Sequence, residues 1–346
     1  MAGNITVAVA GATGAVGREL LRVLEQRNFP AGKVKALASS RSAGTTVPFA
    51  GGEITVEELT ETSFEGVDIA LFSAGGGTSE KFSPFAARSG CVVVDNSNAW
   101  RMDDRCPLVV PEVNRAALKN HKGIIANPNC STIQMLVALY PLHKAASIKR
   151  IVVSTYQAVS GTGQKAIAEL ETQVRQMFNM QEPEVKVYPH RIAFNCLPQI
   201  DVFLENDYTK EEMKMVHETV KIFADPSVKV TATCVRVPVF FGHSESVNVE
   251  FAKPLSAKDA RALLSVAPGV QVFDNPEQKI YPMPIDAAGE DPVYVGRIRA
   301  DETRPNTLNM WLVADNIRKG AALNAVQIAE CLLEDGLLGV KDRNIF

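Results

Sequence analysis

The amino-acid sequence predicts an α/β protein whose first part is a doubly wound parallel sheet and whose second part is an α+β domain. Three observations support this fold class. The chain opens with an apolar strand, a glycine-rich turn and a helix. Short apolar strands then alternate with helical segments, and a new set of longer strands follows. Such alternation is typical of a parallel sheet that is covered by helices on both faces.

The composition limits the possible classes of protein. The chain has 346 residues, 46% hydrophobic and 22% charged, which is enough for two domains with separate cores. Its formal net charge of −3 favours neither nucleic acid nor a membrane surface as a partner. Met1–Asn4 lead into an apolar strand without a leader pattern, and no segment reaches a membrane-spanning length, so we expect a cytoplasmic protein. The 6 cysteines and 5 histidines show no ligand spacing, so we expect no metal and no disulfide framework.

The first element is the strand Ile5–Ala10, which is followed by the turn Gly11–Gly17 and the helical segment Arg18–Leu24. The turn has the spacing G-x-x-G-x-x-G. Glycines there let the backbone approach a pyrophosphate, whose charge rests on the start of the helix. A glycine triplet alone is a weak signal and could merely end a strand. The strand before it and the helix after it favour a dinucleotide site in a Rossmann-like domain.

The second strand, Val34–Ala38, ends in a serine-rich loop that contains Arg41 and Ser42. An NAD-binding fold usually carries an acidic residue here for the ribose hydroxyls, whereas an arginine with serines suits a 2′-phosphate. We therefore expect NADP rather than NAD, although a solvated loop arginine is the simpler alternative. Further strands at Asp68–Ser73 and Cys91–Asp95 complete the pattern of a parallel sheet.

The motif Asn127–Thr132 places a cysteine between a buried strand, Gly123–Ala126, and a helix over Ser131–Ala146. That helix carries Ile133, Leu136, Val137 and Tyr140 on one face, which predicts an amphipathic helix. Cys130 would open it, where free N–H groups and the helix dipole lower a thiol pKa and can bind an oxyanion. A small buried core cysteine is the alternative. The polar residues around Cys130 argue against that alternative.

The second domain begins with a strand, Ile151–Gln157, followed by a turn over Ser160–Gly163 and a helix with an apolar stripe. Thr209 and Glu212 form a capping box at the start of a later helix. On that helix Glu211 and Lys214 lie three positions apart. From spacing alone they are an ordinary surface ion pair, which contributes little to stability.

The segment Lys229–Phe251 predicts two strands with a break between them. Arg236 and His243 are seven positions apart, so in one flat strand they would lie on opposite faces, and convergence requires a bend. His243 follows a glycine and is expected to be a loop residue available to a ligand. A lone histidine is usually solvated or structural, but a distant reactive cysteine makes a Cys/His pair possible.

A nicotinamide fold, a cysteine at a helix start and a distant histidine together suit oxidation or reduction at the acyl level through a thioester. Five segments of the chain resemble the aspartate-β-semialdehyde dehydrogenases, and the resemblance covers essentially the whole chain. They are Gly11–Gly17, Asn127–Thr132, Gln157–Gly163, Arg236–Val239 and Gly242-His243. Enzymes of this family reduce L-aspartyl-4-phosphate with NADPH to L-aspartate 4-semialdehyde and phosphate. They feed the synthesis of lysine, methionine, threonine and isoleucine, with diaminopimelate on the lysine route.

The resemblance implies a role for each residue of a set. Cys130 would form the acyl thioester, His243 would be the acid/base, and Gln157 would orient the substrate. The substrate would be held by Arg236 at its α-carboxylate, Glu211 at its α-ammonium, Arg101 and Lys214 at its phosphate, and by Asn129. NADP would be bound by Gly11, Thr13, Gly14, Ala15 and Val16 at the pyrophosphate, Arg41 and Ser42 at the 2′-phosphate, and Ser160, Gly161 and Asn316 at the nicotinamide end.

The resemblance also implies the domain organisation. Residues 1–129 would bind NADP. A returning C-terminal segment over about 315–346 would complete this domain, and Asp315-Asn316 would cap the helix of that segment. Residues 130–314 would form the catalytic and dimerisation domain of a homodimer or tetramer. The nearest alternative is an N-acetyl-glutamyl-phosphate reductase, whose substrate has an acylated amine. Glu211 argues against it, because a carboxylate at that position suits a charged ammonium. Rivals of other classes are a cysteine hydrolase with a vestigial nucleotide fold and an NADP-sensing regulatory protein.

Overall fold

The computed structural model of the protein describes residues 5–340 and 345–346. The expected leaderless start at residues 1–4, and residues 341–344 of the expected C-terminal segment, lie outside the described residues. The chain forms two compact units: the first runs to Asn129 and includes the returning segment Ala321–Phe346, and the second is Cys130–Gly320. No helix in the part of the chain that the structure describes is long and apolar enough to cross a bilayer.

The elements follow one another along the chain as strands and helices. The strands are β1 (Ile5–Ala10), β2 (Ala31–Ala38), β3 (Thr46–Phe49), β4 (Gly52–Glu58), β5 (Ile69–Phe72), β6 (Val92–Asp95), β7 (Ile124–Ala126), β8 (Ile148–Gln157), β9 (Lys229–Arg236), β10 (His243–Phe251), β11 (Val270–Val272), β12 (Val293–Ala300) and β13 (Thr307–Ala314). The helices are α1 (Ala15–Gln26), α2 (Gly76–Ser89), α3 (Pro111–Asn114), α4 (Cys130–Ala146), α5 (Gln164–Phe178), α6 (Lys210–Phe223), α7 (Ala257–Ser265), α8 (Pro284–Ala287) and α9 (Leu323–Glu334). A π-helical turn, Arg318–Ala322, precedes α9.

The sheet of the first unit confirms the predicted doubly wound α/β fold. Its order is β3-β4-β2-β1-β5-β6-β7. All neighbouring pairs are parallel except β3 and β4, an edge hairpin that the sequence pattern did not predict. The strand order reverses at β1, which pairs with β2 on one side and β5 on the other. Ligands of such sheets bind beyond the carboxyl ends of the strands at this reversal.

The returning helix α9 belongs to the core of the first unit. Its apolar residues Val326, Ile328 and Leu332 join the same buried cluster as the side chains of β1, β5 and β6. Polar anchors fix it as well. Both carboxylate oxygens of Glu330 accept hydrogen bonds from Arg27, at 2.7 and 2.8 Å. The amide of Asn324 donates to the carbonyl of Val109 at 3.0 Å.

The returning segment begins at Ala321, later than the residue near 315 that the sequence predicts. Asp315 explains the difference, because its carboxylate accepts hydrogen bonds from the backbone of Gly289, Ile317 and Arg318 within the second unit. Arg318 also pairs with Asp291 at 2.6 Å. Asp315 therefore satisfies backbone N–H groups at the start of the helical segment, as predicted, whereas the side chain of Asn316 is engaged elsewhere.

The second unit contains a mixed sheet in the order β11-β12-β13-β10-β8-β9. Helices α4, α6 and α7 contact its strands on one face. Along β10 the alternate residues from His243 to Phe251 are buried on that face, as the two-residue period of a strand requires. The capping box of α6 is confirmed, since Thr209 and Glu212 bind each other's backbone N–H groups.

Helix α4 differs from its prediction. It begins at Cys130, as expected, but it is not amphipathic, because all of the residues from Ser131 to Leu139 are buried. It packs against α6, α7 and four strands of the sheet, β8, β10, β12 and β13. Over residues 131–139 the helix therefore has no solvent face, and its apolar residues show no 3.6-residue stripe; Lys144 and Ala145 near its end are exposed.

Candidate active site

The glycine turn after β1 is closely packed. Gly11 has φ +87°, and a Cβ there would lie 2.3 Å from the carbonyl oxygen of Ser73. A Cβ on Gly17 would lie 2.1 Å from the carbonyl oxygen of Gly11. Real Cβ atoms do not approach other atoms so closely, and a positive φ favours glycine. Two of the three motif glycines are therefore required by the fold of the turn itself.

The start of α1 offers backbone donors for an anion. Gly14 is its N-cap residue, and among the described residues no side chain caps it and no acidic residue stands in its first turn. The predicted pyrophosphate contacts Thr13, Gly14, Ala15 and Val16 all lie at this helix start. Uncapped N–H groups and the positive end of the helix dipole suit a phosphate group. The residues present therefore fit a dinucleotide.

Arg41 and Ser42 lie in the loop after β2, the strand beside β1. The side chain of Arg41 is exposed, and no hydrogen bond or ion pair holds it within the described chain. The carbonyl of Ser42 accepts a hydrogen bond from Thr45 at 2.6 Å, which fixes the loop. An unengaged guanidinium at this strand end is suited to a 2′-phosphate.

Cys130 is the first residue of α4 and is partly exposed. Three other cysteines are unsuited to form thiolates, because burial raises the pKa of Cys91, Cys234 and Cys331 above the ordinary thiol value. Gly320 lies directly against the nucleophile candidate: a Cβ on Gly320 would be 2.7 Å from the Cβ of Cys130. The position at the helix start is the one that the sequence predicts.

Three predicted residues come together at one edge of the second sheet. Gln157 ends β8, Arg236 ends β9 in register with it, and His243 begins β10 on the other side of β8. A Cβ on Gly161 would lie 3.0 Å from Nη1 of Arg236 and 3.2 Å from Nε2 of His243, so both side chains reach the same point. They converge because they belong to two different strands, and no bend within a single strand is needed.

His243 is completely buried, whereas the sequence predicted an accessible loop residue. The prediction was wrong because His243 is the first residue of β10 and faces the helices. Its Nδ1 accepts a hydrogen bond from the backbone N–H of Ala158 at 3.0 Å, which assigns the proton of a neutral ring to Nε2. Burial and the Arg236 cation lower the pKa of His243 to about 3, against the effect of Glu211. The neutral ring therefore presents an N–H donor.

Gln157 connects the helix of Cys130 to the substrate-binding candidates. Its Nε2 donates to the hydroxyl of Ser131 at 2.5 Å and to Oε1 of Glu211 at 3.2 Å. Its Oε1 has no partner among the residues that the structure describes. The Gln157 amide therefore keeps Oε1 as a free acceptor, and its hydrogen bond to Ser131 holds it beside the residue that follows Cys130.

Glu211 and Lys214 are not the ordinary surface pair that spacing alone suggests. The ammonium of Lys214 lies 2.9 Å from Oε2 of Glu211 and 2.9 Å from Oδ2 of Asp201. Both partners are largely buried, with side chains 18% and 8% exposed. Burial lowers the pKa of Lys214, but Glu211 and Asp201 raise it by more, so its ammonium stays charged. An ammonium has three N–H donors, and one remains for a further acceptor.

Arg236 is a buried cation with donors to spare. Its Nη1 donates to the carbonyl of Ala158 at 2.7 Å, and its Nε has no partner within the described residues. Only 5% of the residue is exposed. A buried guanidinium with unsatisfied N–H groups favours a carboxylate ligand, which it can bind through two bonds.

Ser160 and Asn316 form a second buried group in this unit. The amide of Asn316 exchanges hydrogen bonds with the hydroxyl of Ser160 at 3.0 and 3.2 Å. Its Oδ1 also accepts from the backbone N–H of Gly242 at 3.0 Å, immediately before His243. Asn316 therefore fixes the start of β10, and Gly161, which has no side chain, lies closely against Arg236 and His243.

Arg101 and Asn129 lie in the first unit. Arg101 is only 8% exposed, and its guanidinium donates to the carbonyls of Asn127 at 2.9 Å and Asn96 at 2.8 Å. Asn129 is 5% exposed and immediately precedes Cys130 in the chain. No group of His, Cys, Asp and Glu side chains suited to a metal ion occurs within residues 5–340 and 345–346.

Sequence reasoning missed several residues around the cysteine. Ser131, Asp201 and Gly320 contact candidate residues directly, and Ala158 fixes both His243 and Arg236 through its backbone. Ser131 adjoins Cys130 and could have been suspected. The others are distant in sequence or act through main-chain atoms, which no residue pattern reveals.

The second unit thus joins a thiol at a helix start to a buried N–H donor, a buried guanidinium and a buried carboxylate. The thiol can attack an acyl carbon, the imidazole N–H can stabilise an oxyanion, and the two charged groups can hold a small amino acid by both of its main-chain charges. The first unit can bind a dinucleotide.

Two family models together match most of the chain. Residues 6–121 match the model described as semialdehyde dehydrogenase, NAD binding domain, and residues 139–319 match semialdehyde dehydrogenase, dimerisation domain. The chain is 59% identical to the aspartate-semialdehyde dehydrogenase of Aquifex aeolicus, over 96% of this chain and 99% of that protein.

Solved structures agree with the sequence comparison. The Vibrio cholerae aspartate semialdehyde dehydrogenase II complexed with ASA superposes with a TM-score of 0.94 at 50% identity, covering 96% of this chain and 99% of that one. The Candida albicans aspartate semialdehyde dehydrogenase with NADP has a TM-score of 0.75 at 26% identity, with coverage of 96% and 99%. The nicotinamide dinucleotide-binding domain therefore follows from both the family model and the fold.

Proposed function

The chain belongs to the aspartate-semialdehyde dehydrogenase family, and on that premise we propose that it reduces L-aspartyl-4-phosphate to L-aspartate 4-semialdehyde and phosphate through a thioester on Cys130. One observation supports this substrate above others. Arg236 and Glu211, a buried cation and a buried anion, both lie beside Gln157 and His243. They match the α-carboxylate and the α-ammonium of a free amino acid. An N-acetylated substrate has no charge for Glu211 to bind.

In the first half of the reaction the Cys130 thiolate attacks the acyl carbon. A C–S bond forms, the bond from that carbon to the phosphoryl oxygen breaks, and phosphate leaves. The Nε2–H of His243 stabilises the oxyanion at the tetrahedral stage, and Gln157 orients the acyl group. We assign the phosphate to Arg101 and to the remaining donor of Lys214, with Asn129 as a further substrate contact.

When bound, NADPH supplies the hydride that reduces the thioester carbon. His243 then holds the negatively charged oxygen through Nε2–H until the carbonyl re-forms and the C–S bond breaks, which returns the thiolate of Cys130. A pKa of about 3 keeps the ring neutral throughout this cycle. The neutral imidazole therefore acts as a hydrogen-bond donor to the oxyanion in this direction.

We assign NADP binding to two sets of residues. Gly11, Thr13, Gly14, Ala15 and Val16 would hold the pyrophosphate, while Ser160, Gly161 and Asn316 would receive the nicotinamide end. Arg41 and Ser42 would favour the 2′-phosphate and hence NADP over NAD. Changing Arg41 to Ala should raise the KM for NADP about tenfold or more and leave that for NAD unchanged. Equal efficiency of the wild type with both nucleotides would contradict the preference.

We also infer a cytoplasmic homodimer. All six cysteines are free, as is usual in a reducing compartment. Exposed apolar residues in the second unit include Tyr156 on β8 and Tyr281 and Met283 in the segment before α8. Apolar surface of this kind favours self-association through the dimerisation domain. Sedimentation at a series of protein concentrations tests the dimer, and a monomer at micromolar concentration would exclude it.

The central test is formation of NADPH from NADP, L-aspartate 4-semialdehyde and phosphate by the purified protein. Activity should require the aldehyde and phosphate together, which separates a phosphorylating dehydrogenase from a hydrolase or a nucleotide sensor. Cys130→Ala should abolish it. The matched control is Cys196→Ala, which removes an exposed cysteine outside the site and should leave activity unchanged. Activity that survives in the Cys130 variant would disprove the thioester.

A further inference from the structure

A buried acid that the proposed chemistry does not use lies directly behind the site. Glu245 follows His243 by two positions in β10, so both side chains face the helices. Glu245 on β10, Thr155 on β8 and Cys234 on β9 form one row across the sheet. On the same face, the next row contains Gln157 and Arg236. Glu245 is completely buried, and neither carboxylate oxygen has a hydrogen-bond partner among the described residues. Buried polar groups without partners are rare in native proteins, and each requires an explanation.

The surroundings of Glu245 oppose a negative charge. Cys234 lies in the same row, on β9. Burial is the largest cause of its raised pKa, and the carboxylates of Glu211, Glu212 and Glu245 raise that pKa further. The Glu212 carboxylate is engaged by the backbone N–H of Cys234 at 2.9 Å. The charged groups of α6 near this layer are the carboxylates of Glu211 and Glu212 and the ammonium of Lys214, which is already paired with Glu211 and Asp201. His243 in front of the layer is neutral. Burial raises the pKa of Glu245 well above the ordinary value, and the nearby Gln134 side chain opposes this only in part. Complete burial and these surroundings favour the neutral carboxylic acid form of Glu245.

Gln134 supplies the missing acceptor. It lies on α4 one helical turn after Cys130 and is completely buried. Its Nε2 donates to the backbone carbonyl of His243 at 3.4 Å, while its Oε1 has no partner in the part of the chain that the structure describes. An amide oxygen and an ionised carboxylate cannot bond to each other, because both only accept. A neutral carboxyl carries one O–H donor, which the amide oxygen can accept.

We propose that Glu245 is a positioning residue: its carboxyl proton is donated to Oε1 of Gln134, which holds the Gln134 amide with its Nε2 on the carbonyl of His243. This chain of hydrogen bonds connects the first turn of the Cys130 helix to the first residue of β10. Its effect is to fix the distance between the thiol and the imidazole. Because it is completely buried, Glu245 would act through Gln134 and not by contact with the substrate or the cofactor.

Glu245→Gln and Glu245→Leu separate this role from packing. Glutamine keeps a donor for Gln134 without a titratable proton, so its kcat, its KM values and its pH profile should match those of the wild type. Leucine fills a similar volume without a donor. It should lower kcat about tenfold or more with little change in KM, since a misplacement of 1 Å costs roughly a hundredfold in rate. The rate at which iodoacetamide alkylates Cys130, followed against pH, should change in the leucine variant alone.

Thr155→Val is the matched control, because it removes a hydroxyl from the same row without touching Gln134. It should leave kcat and the alkylation profile unchanged. Urea unfolding of each variant confirms that the folded enzyme is compared. Loss of activity in Glu245→Gln would show that the ionised form is required, and wild-type kinetics and alkylation in Glu245→Leu would show that Glu245 positions nothing. Either result would overturn the proposal.

The kinetic readout rests on the proposed function, and the alkylation readout does not. If the wild type failed to produce NADPH from the aldehyde and phosphate, the proposed function would fail on its own. The pH dependence of Cys130 alkylation in the two Glu245 variants would still decide whether the acid positions the thiol.

Discussion

Gly320 is the residue whose replacement tests the geometry around Cys130 most directly. It lies in the π-helical turn Arg318–Ala322, within the same unit as the cysteine. A Cβ there would be 2.7 Å from Cβ and 3.2 Å from Cα of Cys130. Carbon atoms in favourable contact are about 3.5 to 4.0 Å apart, so Gly320→Ala creates an overlap of roughly 1 Å. Neither atom of Cys130 lies beyond a rotatable side-chain bond, and only a backbone shift relieves the overlap.

That shift has two measurable consequences. Overpacking a filled site costs about 1 to 3 kcal/mol of stability, which urea unfolding detects as a lower midpoint. A movement of the thiol by about 1 Å lowers kcat/KM roughly a hundredfold, which corresponds to about 2.7 kcal/mol of activation free energy. The assay is steady-state NADPH formation from aldehyde and phosphate, together with the rate of Cys130 alkylation. We expect all three quantities to fall.

The control is Gly52→Ala in the first unit, where the nearest atom to the added Cβ is 3.9 Å away. It should change neither stability nor kcat/KM by more than the error of measurement. A kcat/KM of Gly320→Ala within twofold of the wild type, with unchanged stability, would refute the close approach of Gly320 to the cysteine.

Three further outcomes are expected. Gly161→Ala should lower kcat and raise the KM for the aldehyde about tenfold each, because the added Cβ would lie 3.0 Å from Nη1 of Arg236 and 3.2 Å from Nε2 of His243; unchanged constants would contradict their convergence. Thr209→Ala should lower the free energy of unfolding by about 1 kcal/mol through loss of the capping box, measured by urea unfolding. His243 has a folded pKa of about 3, below the ordinary value of 6.5, so the unfolded chain binds a proton that the folded protein excludes. Stability should therefore fall as pH decreases from about 6.5 toward 3, by up to about 1.4 kcal/mol per pH unit, and His243→Asn should have a shallower slope by that amount; identical slopes would exclude a buried neutral imidazole.

Local features of the site were readable from the sequence because they depend on residues within one or two turns of each other. The turn Gly11–Gly17 requires glycine for reasons of its own backbone. The capping box of Thr209 and Glu212 spans three residues, and Cys130 opens α4 where the strand pattern stops and the helical pattern starts. Such features follow from φ/ψ preferences and from the needs of unpaired backbone N–H groups.

Other features could not be read from residue spacing, because burial is a property of the whole fold. The spacing of Glu211 and Lys214 is that of any surface pair, yet Asp201 and Gln157 enclose them. His243 follows a glycine, as loop residues often do, but begins a central strand and is fully buried. In both cases the deciding neighbours come from other parts of the chain.

The sequence by itself determined the α/β class, the dinucleotide turn and the cysteine at a helix start, since each is encoded in consecutive residues. Only the tertiary structure decided that Gln157, Arg236 and His243 share one sheet edge, because strand order and register set that adjacency. It alone decided that Gly320 abuts Cys130, and that Glu245 is buried behind His243 without a partner among the described residues. Contacts between distant residues depend on how strands and helices pack, and no local pattern specifies that packing.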